Sequence, residues 1–342
     1  MKNKYLMAFI IGFMMLIILM NFLNFSSSRD QIFSTQFLNL DTVIEISVVC
    51  NNQKTADDMF KMADTEIIKL DKIFNNHNKD SITSLINNNA GIKAIEVAPY
   101  YISVIKTAIK VSEETGGAFD ITAGPLIAKW DVTSGPHQPP SQEEINKILP
   151  LINYKNIIIT ENPNTVFLKE KGMSIDLGGI AKRYIIDHLT AKIKEAGVRA
   201  ALLNIGGDVK AYGKKPDGKL WKVGIENPRP EESEEQIIEV VELDNQNIAT
   251  SGDYQRCFFW EGKRYHHIFD PKTGYPSSGL ISVSIISDGE MLTSPNSTAV
   301  FVLGQEKGKD YINSKKDTKA LLVVEDAKSK DGLNKIHINK KP

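Results

Sequence analysis

Cysteine is nearly absent from this chain: 342 residues hold two, Cys50 and Cys257. Two cysteines cannot build a disulfide framework, and no Cys/His spacing resembles a zinc site. Both are expected as buried strand thiols rather than as a bridge. Net charge is equally scarce. Lys and Arg number 41 against 42 Asp and Glu, a formal balance of -1. That excludes whole-chain attraction to a polyanion, and no nucleic-acid partner is expected. Internal repeats and linkers that would split the core are also missing. What remains is 42% hydrophobic and 24% charged, the composition of an ordinary globular domain.

One long apolar run is present. Lys2 and Lys4 precede Tyr5 to Phe25, which carries no charge. About 20 such residues cross a bilayer as a helix, and lysines before the span favour a cytoplasmic N-terminus. Residues 1–30 are therefore expected to form an uncleaved membrane anchor. A signal segment cut near Ser26-Ser27-Ser28 is the alternative. Residues 31–342 would then form one domain outside the cytoplasm, at the cell membrane.

Within that domain, Leu38 to Val49 alternates apolar and polar residues and reads as one strand. Thr55 to Phe74 has apolar residues at helical spacing, and Pro99 to Thr115 is a second helix with Gly116-Gly117 at its end. Ser141 and Glu144 form a capping box for a short helix reaching Ile148. A helix is expected from about Gly179 to Ala196, and a short one from Ser294 to Leu303. Strands are expected at Asn156–Thr160, Thr165–Leu168, Ala200–Asn204, Asp208–Tyr212, Leu220–Ile225 and Ile237–Leu243, with Lys319–Val324 closing the chain. The fold class is α+β: a mainly antiparallel sheet with helices packed against it, preceded by the transmembrane helix.

The chemistry-bearing stretch is His266-His267-Ile268-Phe269-Asp270-Pro271-Lys272-Thr273-Gly274-Tyr275-Pro276. It sets imidazole beside carboxylate on a stiff turn, a place for proton transfer. Asp176-Leu-Gly-Gly-Ile-Ala-Lys182 puts two glycines at a helix N-terminus, where unpaired N–H groups favour a phosphate. The same pattern also serves as an ordinary turn capped by Asp176. Asn204-Ile-Gly-Gly-Asp208 reads first as a β-turn. Phe119 and Asp120 suit either a ring-binding loop or core and capping roles. His77 sits in a polar loop, and Ser294 is either a helix N-cap or a ligand.

Seven stretches in order resemble the FAD:protein FMN transferase, or ApbE, family: Asp80-Ser81 to Asn87, Thr115 to Leu126, Asp176 to Lys182, Leu203 to Asp208, Ala249 to Tyr254, His267 to Gly274 and Ser297 to Gly304. The resemblance runs from about Gln36 to the end. It implies an enzyme outside the cytoplasm that splits FAD with Mg²⁺. The FMN half is joined by a phosphoester to a Ser or Thr of a target protein, and AMP is released. By the same resemblance FAD is contacted by Leu40, His77, Ala118, Phe119, Asp120, Asp176, Lys182 and Phe269. Mg²⁺ is held by the Gly179 carbonyl, Ser294 and the Ser297–Thr298 region, and His267 does the acid/base work. An FAD hydrolase and a non-catalytic flavin-binding protein are the alternatives.

Two positions depart from the family pattern. Ser294 stands where an aspartate is usual, and Arg183 where a glycine is usual. Without the carboxylate Mg²⁺ should bind weakly, unless Asp288 or Glu290 takes its place. Ser294→Asp is expected to strengthen the site, on the reading that residues 294 and 298 share a helical face. Arg183 either crowds the site or gives the pyrophosphate a fixed positive charge.

Overall fold

The computed structural model describes residues 30–135, 137–232, 235–329 and 331–339. The expected membrane span lies outside them, and no helix among the described residues is long and apolar enough to cross a membrane. The frame is an eight-stranded, fully antiparallel sheet in the order β1 (Gln31–Asn39), β2 (Thr42–Cys50), β6 (Ala200–Ile205), β7 (Asp208–Tyr212), β10 (Gln246–Gly252), β13 (Ser282–Asp288), β14 (Thr318–Glu325) and β15 (Leu333–Ile338). Smaller sheets pair β3 (Ile95–Glu96), β5 (Thr165–Leu168) and β4 (Ile157–Thr160); β8 (Trp221–Glu226) with β9 (Ile237–Leu243); and β11 (Cys257–Trp260) with β12 (Lys263–His266).

Strand alternation divides the core between the two sheet faces. On β2, Ile44, Ile46 and Val48 point to the main helical core, while Val49 joins a second cluster with Ala200, Trp221, Leu243 and Val323. Helix α1 (Gln53–Phe74) covers the first face with Ala56, Ala63, Ile67, Leu70 and Phe74, spaced for one stripe of a helix. Asn52 caps its start by accepting from the Thr55 N–H at 2.9 Å. The hairpin β8–β9 lies over the other face.

Helices α2 (Ile82–Asn88), α3 (Pro99–Glu114), α4 (Gly124–Trp130) and α5 (Gln142–Ile148) lead to α6 (Ala181–Glu195) and α7 (Ser297–Asn313). The capping box at Ser141 and Glu144 forms as expected.

The structure corrects several boundaries. The strand expected over Leu38 to Val49 is the hairpin β1–β2, which turns at Leu40 and Asp41 with φ of 53° and 52°. Alternation continued across the turn and hid it. Helix α7 is capped by Asn296, not Ser294, and runs on to Asn313. The expected stop after Leu303 survives as a break at Gly304, where φ is 75°. Strand β15 follows the strand expected to close the chain. Both cysteines are free thiols, Cys50 buried and Cys257 half-buried.

Candidate active site

His266 and His267 leave β12 in opposite senses, and the structure separates their roles. His266 is buried; its Nδ1 accepts from the Ile268 N–H at 3.2 Å, and its Nε2 donates to the Ser277 carbonyl at 2.9 Å. It is a packing residue, edge-on to Phe301. His267 is half-buried, with its Nδ1 3.2 Å from the Arg256 carbonyl oxygen. A carbonyl only accepts, so Nδ1 carries the proton and Nε2 keeps its lone pair. Nε2 has no partner among the described residues. Loss of water around the ring pulls its pKa down to about 4, with help from the positive charges of Arg256 and Lys182. The ring is neutral at neutral pH and presents an unprotonated nitrogen.

Three further segments meet this one. Arg256 Nη2 donates to the Asp41 carbonyl at 3.3 Å, which fixes the turn carrying Leu40 beside the His267 segment. Asp176 Oδ1 accepts from the Gly178 N–H at 2.8 Å, and Oδ2 from Asn76 Nδ2 at 2.9 Å. The second bond brings the exposed His77 loop to the glycine turn that opens α6. Gly179 is needed there for space: a Cβ would lie 2.9 Å from the Phe119 ring. Lys182 stands half-exposed in the first turn of α6.

Not every expected contact faces this place. Phe269 is buried and stacks on Trp130 at 5.4 Å, so it belongs to the apolar cluster of Leu126, Trp130 and Ile145. Ala118 is buried. Both Asp120 oxygens are committed: Oδ1 accepts from the Thr122 N–H and hydroxyl at 2.8 and 2.7 Å, and Oδ2 from the Tyr154 N–H at 2.9 Å. Asp120 ties two loops together, and burial raises its pKa. A cavity of about 670 Å³ opens beside Ile73, Ile82 and Tyr100, and none of the residues expected to bind FAD lines it.

The oxygens assigned to Mg²⁺ do come together, but they are already engaged. The Gly179 carbonyl accepts from Asn296 Nδ2 at 3.2 Å. Arg183 Nη1 donates to the Ser294 and Pro295 carbonyls at 3.0 and 3.1 Å, and Nη2 to Ser297 Oγ at 3.4 Å. Ser297 Oγ also accepts from Ser251 Oγ at 2.9 Å, and Ser251 pairs with Thr298 Oγ1 at 3.2 Å. Ser294 Oγ turns away, donating to the Glu290 carbonyl at 2.9 Å and receiving from Ser287 at 2.7 Å. Because Ser294 precedes α7, it shares no helical face with Thr298. Asp288 and Glu290 are both exposed, and Asp288 accepts from Gln246 at 2.7 Å. Among the described residues, no three His, Cys, Asp or Glu side chains cluster as metal ligands. A divalent cation needs hard oxygens with compensating negative charge, and every oxygen here is neutral and already hydrogen-bonded. These residues do not fit Mg²⁺.

Sequence reasoning missed Arg256, Asn296 and Asn76, which orient His267, the α7 start and Asp176. Ser251 lay inside a noted motif without a role. Asn296, three residues before the apolar run that opens at Ala299, carried a capping signal that Ser294 masked.

The sequence profile of the ApbE family matches residues 40–322. A Klebsiella pneumoniae FAD:protein FMN transferase is 30% identical over 302 residues, covering 87% of this chain and 90% of that one. A transferase of the same description from Haemophilus influenzae is 32% identical over 237 residues, 68% of each chain. Among solved structures, the ApbE protein of Thermotoga maritima superposes with a TM-score of 0.79 at 30% identity, over 90% of this chain and 97% of its own. The Vibrio cholerae flavin transferase ApbE gives 0.79 at 25% identity, over 91% and 98%. The family match takes in the inner strands of the sheet, the glycine turn before α6 and the His267 segment, and the chain belongs to the ApbE family.

Proposed function

We propose that this chain is an FAD:protein FMN transferase, moving FMN from FAD to a Ser or Thr hydroxyl of a target protein. The observation that carries the reading is His267: a neutral imidazole with Nδ1–H held by the Arg256 carbonyl and Nε2 open to accept a proton. The target hydroxyl gives its proton to Nε2 as its oxygen bonds to the FMN phosphorus. The bond from that phosphorus to the pyrophosphate bridging oxygen breaks, and AMP leaves with that oxygen. Positioning and charge dominate such a transfer. Lys182, at the helix opening, supplies one fixed positive charge. Asp176, joined to Asn76, sets the two loops that bound the glycine turn. Mg²⁺ has no part in this reading, because its expected oxygens are neutral and already hydrogen-bonded: the Gly179 carbonyl to Asn296, the Ser297 hydroxyl to Arg183, the Ser294 hydroxyl to Ser287 and the Thr298 hydroxyl to Ser251.

The test is incubation with FAD and a purified flavin-accepting target domain of an ApbE-family transferase, followed by intact mass. One FMN gained by the target supports the reading. FMN and AMP released with no mass gain would mean that water is the acceptor instead.

His267 also sets a pH dependence. A base works when deprotonated, so transfer should be level above its pKa and fall below it. Burial lowers that pKa from the ordinary 6.5 to about 4. Single-turnover transfer is therefore expected to hold from neutral pH into the acid range and fall with a midpoint near 4. A midpoint near 6.5 would show that the ring is hydrated and unperturbed.

We further propose that the domain is tethered outside the cytoplasm by the apolar segment after Lys4. Protease added to intact cells should then digest the domain. Digestion only after the membrane is broken would reverse the orientation.

A further inference from the structure

Arg183 is 2% exposed, and its surroundings differ from those of the other buried cations. Arg229 holds Asp253 at 2.7 Å and Lys210 holds Asp187 at 2.5 Å. Arg183 makes no ion pair among the described residues. Its guanidinium lies among neutral oxygens instead: the Ser294 and Pro295 carbonyls and the Ser297 hydroxyl. Asp208 and Asp187 act on it only through space. Buried charges are ordinarily paired. A cation ringed by carbonyl and hydroxyl oxygens resembles a hard metal site more than an ion pair.

The two departures from the family pattern meet here. Arg183 and Ser294 are 111 positions apart, and Arg183 Nη1 reaches the main-chain carbonyl of residue 294 at 3.0 Å, while the Ser294 hydroxyl turns to Glu290 and Ser287. Their charges also balance. A divalent ion with one aspartate leaves one net positive charge, and so does a guanidinium with a serine. Burial pulls the Arg183 pKa down, but a guanidinium starts so high that it stays protonated.

We propose that the Arg183 guanidinium is the resident cation of this site, filling the place the family resemblance gives to Mg²⁺, and that FMN transfer by this chain needs no divalent metal. The proposal rests on the flavin-transfer reading. Arg183 is a positioning residue: it holds the loop before α7 against the start of α6 and sets the positive field in which the pyrophosphate oxygen departs. The proton still passes from the target hydroxyl to His267.

Two measurements on the full-length wild-type chain, stripped with EDTA and desalted, decide it. The first is Mn²⁺ binding followed by electron paramagnetic resonance. The second is FMN transfer in EDTA against a Mg²⁺ titration into the millimolar range. The expected result is weak Mn²⁺ binding and the same transfer rate in EDTA as in Mg²⁺. The double variant Arg183→Gly with Ser294→Asp should gain tight Mn²⁺ binding and become Mg²⁺-dependent. Arg183→Met should lose roughly 10²-fold in transfer, and Arg183→Lys should recover part of it while staying insensitive to EDTA. A merely structural role for Arg183 would not move the metal dependence. Wild type binding Mn²⁺ as tightly as the double variant would overturn the proposal. So would wild-type transfer lost in EDTA and restored by Mg²⁺. Absence of transfer under every condition strikes the flavin-transfer reading alone, and Mn²⁺ binding then decides the cation by itself. Both wild-type measurements stand whether or not the variants fold.

Discussion

Replacing His267 with alanine is expected to lower FMN transfer by about 10²–10⁴-fold, the range for loss of a positioned general base. FAD binding should survive. The imidazole is fixed through Nδ1 to a backbone oxygen, so its removal takes away the proton acceptor and leaves the Arg256 segment tied to the Leu40–Asp41 turn. The adjacent His266 cannot substitute, since both of its ring nitrogens are engaged by Ile268 and Ser277. The measurement pairs FAD titration by flavin fluorescence with single-turnover transfer. Turnover unchanged in His267→Ala would remove this residue from the mechanism. Loss of FAD affinity equal to the loss of rate would make it a binding residue.

Trp130→Ala should produce the largest loss of stability. Trp130 is 1% exposed, stacks on Phe269 at 5.4 Å and Tyr265 at 5.6 Å, and meets Tyr275 edge-on at 5.7 Å. Its Nε1 donates to the Gly274 carbonyl at 2.9 Å. Gly274 itself has no room for a side chain, with φ of 73° and a Cβ that would fall 2.5 Å from Ile145. One indole thus pins the turn that follows His267. Truncating a buried tryptophan costs about 3–5 kcal/mol. Trp130→Phe keeps much of the apolar contact and loses the hydrogen bond, worth about 1 kcal/mol. Urea unfolding with an unchanged slope gives both values. If Trp130→Ala moved the midpoint no more than Trp130→Phe, the aromatic stack would not be what secures the turn.

The regular parts of this fold are legible because their periodicity is strong. The stripe from Ala56 to Phe74 has one solution, a helix on a sheet. The antiparallel strands from Ala200 to Tyr212 alternate around a Gly-Gly turn. The hairpin at Leu40–Asp41 was hidden because its turn uses two residues with positive φ and no glycine, against the usual preference. Strand β13 escaped although Ser282-Val283-Ser284-Ile285 alternates; its serine face is buried as deeply as its apolar face. The family motif already chose His267 over His266, and the geometry gives the reason: both ring nitrogens of His266 are engaged, while His267 keeps Nε2 unengaged. Phe269 carried a motif resemblance to a ring contact, and the structure gives that ring to Trp130. No local rule foretells the meeting of residues 183 and 294, because long-range contacts leave no mark in spacing.

The Arg183–Ser294 contact also constrains how such a site changes over generations. Aspartate at 294 would bring a negative charge to the loop whose carbonyls Arg183 holds, and so weaken the positive field of the guanidinium. Glycine restored at 183 opposite Ser294 would leave the carbonyls with no cation at all. Each single change is therefore expected to lower transfer, and only the pair together to recover it. The two positions should be inherited as a unit: lineages carrying one without the other should be rare, and an ancestor crossing between the two states needs a third residue to tolerate the step.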